Sequence, residues 1–571
     1  MKPSDQMKQV QLQIMWDRLI AVVEEQAQTL IRTAFSTSTR EAGDVSAGVY
    51  NTSGDMLAQA VTGTPGHVNA MAESVKHFVA DFAWNELTQG DVLITNDPWK
   101  GTGHLHDFTV VTPIFRDGRP IAIFACTTHV VDIGGLGFVA DGREVYEEGF
   151  YIPPMFLARA GTMNDDLLGL VRANVREPAQ VEGDLYSLAA CNEAGGRRLL
   201  EMMTEYGLED IEDLGQMIID SSRKAMQDAI RELPNGSWTS SMTTDGYEAD
   251  VTLCATLTIE DEKIRIDFDG TSGESSYGIN VPLSYTKAYG SFGLRCVIGN
   301  KVPNNAGSLG AIEVTAPLGT IVNARPPRAV CARHVIGQML PDVVYGCLHQ
   351  AVEGMAPAEG TSSIWAPILM NAPENGARTG EFTITMFNTG GTGARPTKDG
   401  LNCTAFPSGI RNVPVEISET MAPIVLWRKD FRQDSGGPGK FRGGAGQIIE
   451  ASLRSEDAFA FSAMFDRVNN PPRGRADGGM GLPGEVVSST GTQQRVKGKQ
   501  VIPAGQRLVL KTPGGGGYGA AFERDPAYVV EDVRLGFITI DTAARDYGVV
   551  LYEDLKVNEA ETARLRADAS A

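Results

Sequence analysis

Apolar side chains at Val10, Leu12, Met15, Leu19, Val22, Val23, Leu30 and Ile31 recur at roughly the spacing of one helical face and predict a long opening helix over residues 7–34. From residue 48 the texture changes to short runs punctuated by Gly, Asn and Asp. In GVYNTSGDMLAQ the triplet Ser53-Gly54-Asp55 suits a hairpin turn, so a sheet is expected to begin there. Residues 163–233 return to helical spacing, and AQVEGDLYSLAACNEAGGRRLLEMMTEYG ends on Gly207, which suits a left-handed C-cap. Alternation then takes over, and VTLCATLTIEDEKIRIDF reads as two strands flanking an acidic turn. After about residue 425, Gly and Pro become dense in DSGGPGKFRGGAG, NNPPRGRADGGMGLPGE and TPGGGGYG, as in a β-rich region with tight corners, since glycine admits positive φ and close backbone approach.

These shifts predict an α+β chain with an N-terminal helix, mixed sheets and a glycine-rich end. Three domains are expected: an N-terminal α+β domain over residues 1–235, a central α/β domain over 236–425 and a β-dominated domain over 426–571. A length of 571 residues, several times one cooperative core, accommodates them.

Composition narrows the function classes. A hydrophobic fraction of 42% and a charged fraction of 21% are ordinary for a soluble globular protein. The balance of 50 basic against 71 acidic residues gives −21, with no basic stripe, which argues against nucleic acid as a partner. The start MKPSDQMKQVQLQIMWDRL lacks a basic segment followed by an apolar run, and runs such as residues 121–126 are far shorter than the roughly 20 residues needed to span a bilayer. A cytoplasmic protein without membrane segments is expected. Seven cysteines without a C-x-x-C pair read as reduced, mostly buried thiols. No phosphate-binding loop is evident: Lys440 is followed by Phe441 and Lys499 by Gln500 where Ser or Thr is needed, and the glycines at 514–517 precede no evident helix.

The densest chemistry lies in TNDPWKGTGHLHDFTVVTPIF, which places His104, His106 and Asp107 just ahead of an apolar strand. Further on, IAIFACTTHVVDIGG puts His129 and Asp132 at the end of a second strand. A hairpin through Arg116-Asp117-Gly118-Arg119 would make 107 and 129 cross-strand neighbours. Two imidazoles with one or two carboxylates suit Zn²⁺, Mn²⁺ or Fe²⁺. Asp44, in TREAGDVSAGVYN, could add a fourth ligand, and His67, in TPGHVNAM, is a further pocket candidate. In an extended chain His104 and His106 share a side opposite Asp107, whereas a loop could turn any of them inward, so spacing does not choose between the two imidazoles. The competing reading is a set of polar loop residues with turn roles.

With these residues go further ordered motifs: RTAFSTSTREAGDVSAGVYN, YEEGFYIPP, EGDLYSLAACNEAGGRRLLE, IDFDGTS, VPNNAGSLGAIEV, RNVPVEI and RDPAYVVEDVRLGFITIDTAARDYGVVL. Together they resemble, through almost the whole chain, the hydantoinase B and oxoprolinase family, which includes caprolactamase beta subunits and acetone carboxylase alpha subunits. The resemblance implies one divalent metal, zinc before manganese or iron, on Asp44, His104, Asp107 and His129, with His104, Asp107 and His129 as the catalytic set. His106 stands where relatives commonly have Pro, which makes it a neighbour rather than a ligand. Arg395 in GGTGARP and His334 in CARHVIG lie in family-like segments without an assigned role, and the glycine-rich anchors read as structural corners.

The activity so implied is ATP-dependent opening of a cyclic amide such as a hydantoin, oxoproline or a lactam. A hydantoinase A-like partner, carrying ATP and Mg, would phosphorylate the amide carbonyl oxygen, and this chain would deliver water at its metal. Two copies of each subunit would form a heterotetramer. The alternative is an alpha-type subunit of an ATP-dependent ketone carboxylase, whose relatives have a longer chain and a small third subunit. A metal-free scaffold for the ATPase is a third reading.

Overall fold

The computed structural model describes residues 5–61, 64–372 and 382–569. The chain divides into two compact units: Met1–Thr239 with Ala255–Arg333 and Gly409–Arg411, and Ser240–Cys254 with His334–Ser408 and Asn412–Ala571. Segment 1–235 thus lies in the first unit and 426–571 in the second, while 236–425 is divided between them. The reason is visible at Gly66, beneath the rings of Tyr285 and Tyr289, where a Cβ would come within 2.5 and 2.6 Å of their ring carbons. This contact ties residues past 235 into the first unit.

The first unit opens with helix α1 (Asp5–Thr33) and strands β1 (Val45–Tyr50) and β2 (Met56–Gln59), followed by helix α2 (Pro65–Asp81). Strands β3 (Val92–Thr95), β4 (Asp107–Arg116), β5 (Arg119–His129), β6 (Met155–Arg159) and β7 (Thr162–Met163) complete one antiparallel sheet ordered β2-β1-β5-β4-β3-β6-β7. Helices α3 (Pro178–Tyr206) and α4 (Glu212–Arg231) follow, and Gly207 closes α3 in the left-handed region at φ 67, as its sequence suggests. Strands β8 (Gly236–Thr244), β9 (Val251–Glu260), β10 (Lys263–Asp267) and β11 (Ile312–Thr315) form a second sheet, with helix α5 (Leu283–Val297) between the last two in sequence.

The first sheet is covered on both faces, so its middle strands are buried throughout instead of alternating with solvent. Ala47, Val49, Ile114, Ala122 and Phe124 pack against Leu19, Val23 and Ala27 of α1, Met202 of α3 and Ile218 of α4. Tyr50, Leu93, Val111, Ile123 and Ala125 point the other way, onto Val68, Met71, Val75 and Phe78 of α2. Each fully buried side chain of this size contributes about 1.5–3 kcal/mol. One polar link crosses the first core: the Gln26 amide donates to Asn192 at 2.7 Å and to the Ala125 carbonyl at 3.0 Å, and Asn192 donates to the Val110 carbonyl at 3.1 Å. It fixes how α1 and α3 seat on the sheet.

The β4–β5 hairpin turns at Asp117 and Gly118, both left-handed at φ 50 and 76, the tight-turn geometry whose twist matches paired strands. From there the ladder runs back to a direct pairing of Asp107 with His129.

In the second unit, strands β12 (Ile368–Asn371), β13 (Thr383–Thr385), β14 (Ile424–Phe431), β15 (Gln447–Leu453), β16 (Phe459–Met464), β17 (Glu485–Ser488), β18 (Lys497–Ile502) and β19 (Leu508–Lys511) make two sheets, β13-β12-β16-β18 and β14-β15-β19-β17. Trp365, Leu369, Phe459, Phe461, Ile449 and Leu510 fill one core with contributions from both sheets. Of the glycine-rich anchors, Gly519 lies in the left-handed region at φ 73, whereas Gly437, Gly443, Gly444 and residues 514–517 lack positive φ. They are extended chains laid side by side, with Gly444 donating to Thr392, Gly515 to Gly444 and Gly437 to Gly515, at 2.9, 2.9 and 2.8 Å. A Cβ on Gly515 would lie 1.9 Å from the Thr392 carbonyl oxygen, so these glycines serve close approach.

Among the described residues no helix is long and apolar enough to cross a membrane. None of the seven cysteines is disulfide-bonded.

Candidate metal centre

Asp107 starts β4 and His129 ends β5, so the hairpin ladder itself sets them opposite each other. The preceding loop is pinned by Asn96, whose amide donates to the Leu105 carbonyl at 2.8 Å and accepts from the Ile152 amide at 2.6 Å. This brings His104 back over Asp107. His104 Nε2 is 2.6 Å from Asp107 Oδ1, and His129 Nδ1 is 3.3 Å from each of those two atoms. These three residues are buried and offer ligand atoms all within 4.8 Å of one another, an arrangement that could hold a metal ion.

The donor chemistry fits a cation. His104 Nδ1 is 2.9 Å from the Cys331 carbonyl oxygen, an atom that can only accept, so Nδ1 carries the hydrogen. Burial, reinforced by Arg333, lowers the His104 pKa to about 3, so its ring is neutral and Nε2 bears a lone pair. That lone pair faces a carboxylate oxygen. Asp107 is ionised: burial alone would raise its pKa, but the positive groups around it, His67 and Arg333 among them, hold it well below the usual carboxylate range. Electron-rich atoms so arranged could hold a positive ion between them. The edge of a tetrahedron with bonds of about 2.0–2.1 Å is about 3.3–3.4 Å, which two of the three separations match.

The other oxygen of Asp107 is fully engaged. Thr102 Oγ1 donates to Oδ2 at 2.7 Å, Arg333 Nη2 at 2.5 Å, and His67 Nε2 lies 2.9 Å away. Oδ1 alone is therefore left for an ion. Arg333 also donates from Nε to the Thr102 carbonyl at 2.8 Å, and its guanidinium lies 4.1 Å over the Tyr285 ring. The Cys331 carbonyl is positioned through Glu148, whose Oε1 accepts from the Val330 and Cys331 amides, both at 2.7 Å. Burial pushes the Glu148 carboxyl up to about 8.

Asp44 is adjacent. Its carbonyl accepts from the His129 amide at 3.3 Å and from Thr128 Oγ1 at 3.0 Å, and its Oδ1, buried without a hydrogen-bond partner, is 3.4 Å from His67 Nδ1. Burial raises the Asp44 carboxyl above its ordinary value. His67, in the first turn of α2, bridges the two carboxylates; burial lowers its pKa, but Asp107 and Asp44 outweigh it and hold it above the ordinary histidine value.

The remaining candidates separate. His106 lies outside the convergent group, its ring stacked on His129 with centroids 5.2 Å apart. Burial holds its pKa well below the ordinary value. Asp132 is turned to Arg176, accepting from its amide and from Nη1 at 2.7 Å. Arg395 and His334 belong to the second unit, where Arg395 donates to the Asp399 carbonyl at 2.6 Å. Sequence reading missed Arg333, Thr102 and Glu148. Arg333 stands next to the histidine singled out in CARHVIG, and Glu148 lies within YEEGFYIPP, but nothing local says that either reaches a site far away in sequence.

The model for hydantoinase B/oxoprolinase matches residues 8–521. An uncharacterized protein of Methanocaldococcus jannaschii is 32% identical over 558 residues, 95% of this chain and 97% of that one. The caprolactamase subunit beta of Pseudomonas jessenii is 28% identical over 572 residues, 95% of this chain and 96% of that one. Among solved structures, an ATP-dependent caprolactamase from Pseudomonas jessenii has a TM-score of 0.87 at 25% identity, covering 98% of this chain and 99% of that one. Nucleotide-free acetone carboxylase has a TM-score of 0.88 at 19% identity, covering 99% of this chain and 83% of that one, a likeness of fold. The chain belongs to the hydantoinase B/oxoprolinase family.

Proposed function

We propose that this chain is the ring-opening subunit of an ATP-dependent cyclic amide hydrolase, acting on a ring whose carbonyl oxygen has been phosphorylated by a hydantoinase A-like ATPase. The observation that carries the reading is the convergence of His104 Nε2, Asp107 Oδ1 and His129 Nδ1, three atoms able to accept and buried together. Asp44 is the fourth ligand in this reading, offering a buried carboxylate oxygen without a hydrogen-bond partner. A divalent ion held there supplies Lewis acidity, which polarises a carbonyl and makes water a nucleophile near neutral pH. Two imidazoles and two carboxylates favour zinc, with manganese or iron as alternatives.

The chain's own residues do the positioning. The Cys331 carbonyl fixes the His104 tautomer, and Thr102, Arg333 and His67 saturate Asp107 Oδ2 so that Oδ1 faces the ion. The catalytic set is His104, Asp107 and His129. ATP and Mg are assigned to the partner because this sequence has no phosphate-binding loop of the usual kind, and the assembly is two copies of each subunit in the cytoplasm.

The carboxylase reading is supported by the acetone carboxylase fold, of whose chain this one covers 83%. The hydrolase reading is favoured because the caprolactamase chain is covered over 99% of its length. The test is reconstitution with the ATPase partner. Alone, the chain should neither hydrolyse ATP nor open a ring. In the complex, His104→Ala should lose ring-opened product while one equivalent of ADP still forms in a single turnover. ATP turnover by the isolated chain, or full ring opening by metal-free His104→Ala, contradicts the reading.

A further inference from the structure

We infer that Ser38 is a positioning residue of the proposed metal site: it stands between the ends of β1 and β5 and fixes how far Asp44 lies from His129. The inference rests on the ring-opening reading above, in which Asp44 is the fourth ligand.

The strand pairing shows the place that Ser38 occupies. Strands β1 and β5 are antiparallel with Val45 opposite Thr128, so continuing the register by one residue sets Asp44 opposite His129. In an antiparallel ladder a hydrogen-bonded pair exchanges two backbone bonds. One of the two joins the residues here, from the His129 amide to the Asp44 carbonyl at 3.3 Å. Ser38 takes up both partners of the other. Its carbonyl accepts from the Asp44 amide at 3.0 Å, and its hydroxyl donates to the His129 carbonyl at 2.7 Å. One buried serine thus bridges the backbones of two proposed ligands.

The bridge is itself held in place. Ser38 lies in the helical turn Thr37–Arg40, whose entry is tied to α3 through Asp184: Oδ1 accepts from the Phe35 amide at 2.8 Å and from the Ser36 amide at 3.2 Å. On the next residue, Thr39 Oγ1 lies 2.6 Å from Thr128 Oγ1, which donates to the Asp44 carbonyl at 3.0 Å. The turn is fixed to a helix and to β5 independently of the Ser38 hydroxyl, so the serine acts as a post against which the two ligand residues are set.

The two halves of the bridge can be separated chemically. The bond to Asp44 uses the backbone of residue 38 and survives any side-chain change short of proline. The bond to His129 uses the hydroxyl: alanine lacks it, threonine keeps it, and cysteine offers a weaker donor. A hydroxyl that only satisfied a buried carbonyl would alter stability alone. One that sets the spacing of two ligands also alters how tightly, and in what geometry, an ion is held.

The test loads the full chain with zinc, read by competition with a chromophoric chelator, and with cobalt(II), whose visible spectrum reports coordination geometry, beside thermal melting. Ser38→Ala should hold zinc about 10–100-fold more weakly and shift the cobalt bands. Ser38→Thr should match the native chain in both, and Ser38→Cys should fall between them, which keeps the comparison if the alanine variant does not fold. As a control, Thr361→Val removes a buried hydroxyl-to-carbonyl bond of 3.0 Å, to Pro513, in the second unit, which carries none of the four ligands. It should lower the melting temperature and leave zinc affinity and the cobalt spectrum unchanged. A Ser38→Ala chain that melts lower but binds both ions as the native chain does, or a Ser38→Thr chain as weak as Ser38→Ala, overturns the inference and leaves the ring-opening reading standing. A native chain that takes up neither ion overturns both.

Discussion

Asp107 and His129 are direct partners across the β4–β5 ladder, and their side chains bring Oδ1 and Nδ1 to 3.3 Å. The hairpin thus delivers two of the three convergent atoms without help from the rest of the chain, and His104 is folded back onto them by the Asn96-pinned loop. His129→Gln keeps the strand pairing but removes the aromatic nitrogen. Its affinity for zinc, measured by competition with a chromophoric chelator, should fall by at least about 100-fold, with melting little changed. Undiminished affinity would remove His129 from the ligand set.

Arg333 is the positioning residue with the most to lose. It donates to Asp107 Oδ2 and to the Thr102 carbonyl at once, a fork that lysine cannot reproduce. Arg333→Lys should weaken zinc binding about 10–100-fold and destabilise the fold by about 1.5–3 kcal/mol, since Asp107 is fully buried and loses a charged hydrogen bond at Oδ2. Chelator competition and thermal melting read the two effects separately.

Glu148 makes a pH-dependent contribution whose sign is fixed by its raised pKa. Unfolded, the carboxyl ionises near its ordinary 4.5; folded, burial keeps it protonated up to about 8. Over that window the folded state binds the extra proton, so rising pH favours unfolding, by up to about 1.4 kcal/mol per pH unit. Glu148→Gln keeps a carbonyl oxygen for the Val330 and Cys331 amides and cannot ionise. The stability of the variant relative to the native chain should therefore climb between about pH 5 and pH 8 in melting curves. Parallel curves would contradict the raised pKa.

The glycine array should tolerate no side chain. Gly515→Ala places a Cβ 1.9 Å from the Thr392 carbonyl oxygen and 2.8 Å from the Gly393 nitrogen, both backbone atoms, and should destabilise the second unit by about 4 kcal/mol or more. Gly169, inside the helix Asp165–Asn174, has open space around its would-be Cβ and a helical φ, so Gly169→Ala should stabilise by about 0.5–1 kcal/mol. Limited proteolysis and melting distinguish the two.

What the sequence made legible was local. The helix over residues 7–34 appears as Asp5–Thr33, and the hairpin joining 107 to 129 follows from a two-residue turn between two apolar runs. For the array at 514–517, composition reports that glycine is needed but not whether positive φ or close approach needs it, and the structure shows close approach. Arg333 and Glu148 escaped because their roles are set by packing between segments more than 180 residues apart, which no spacing rule encodes. Placing His106 needed the structure, since only the buried, unpartnered Nε2 tells its environment from that of a loop histidine.

In the proposed function this chain holds one divalent ion on His104, Asp107, His129 and Asp44. Its most direct test is anomalous diffraction from crystals of the chain grown with zinc, manganese or ferrous iron, alongside elemental analysis of the same sample. One ion per chain is expected, about 2.0–2.2 Å from His104 Nε2, Asp107 Oδ1, His129 Nδ1 and an Asp44 oxygen, and none in His104→Ala. A chain that takes up none of these ions stoichiometrically, or binds its ion away from these side chains, would contradict it.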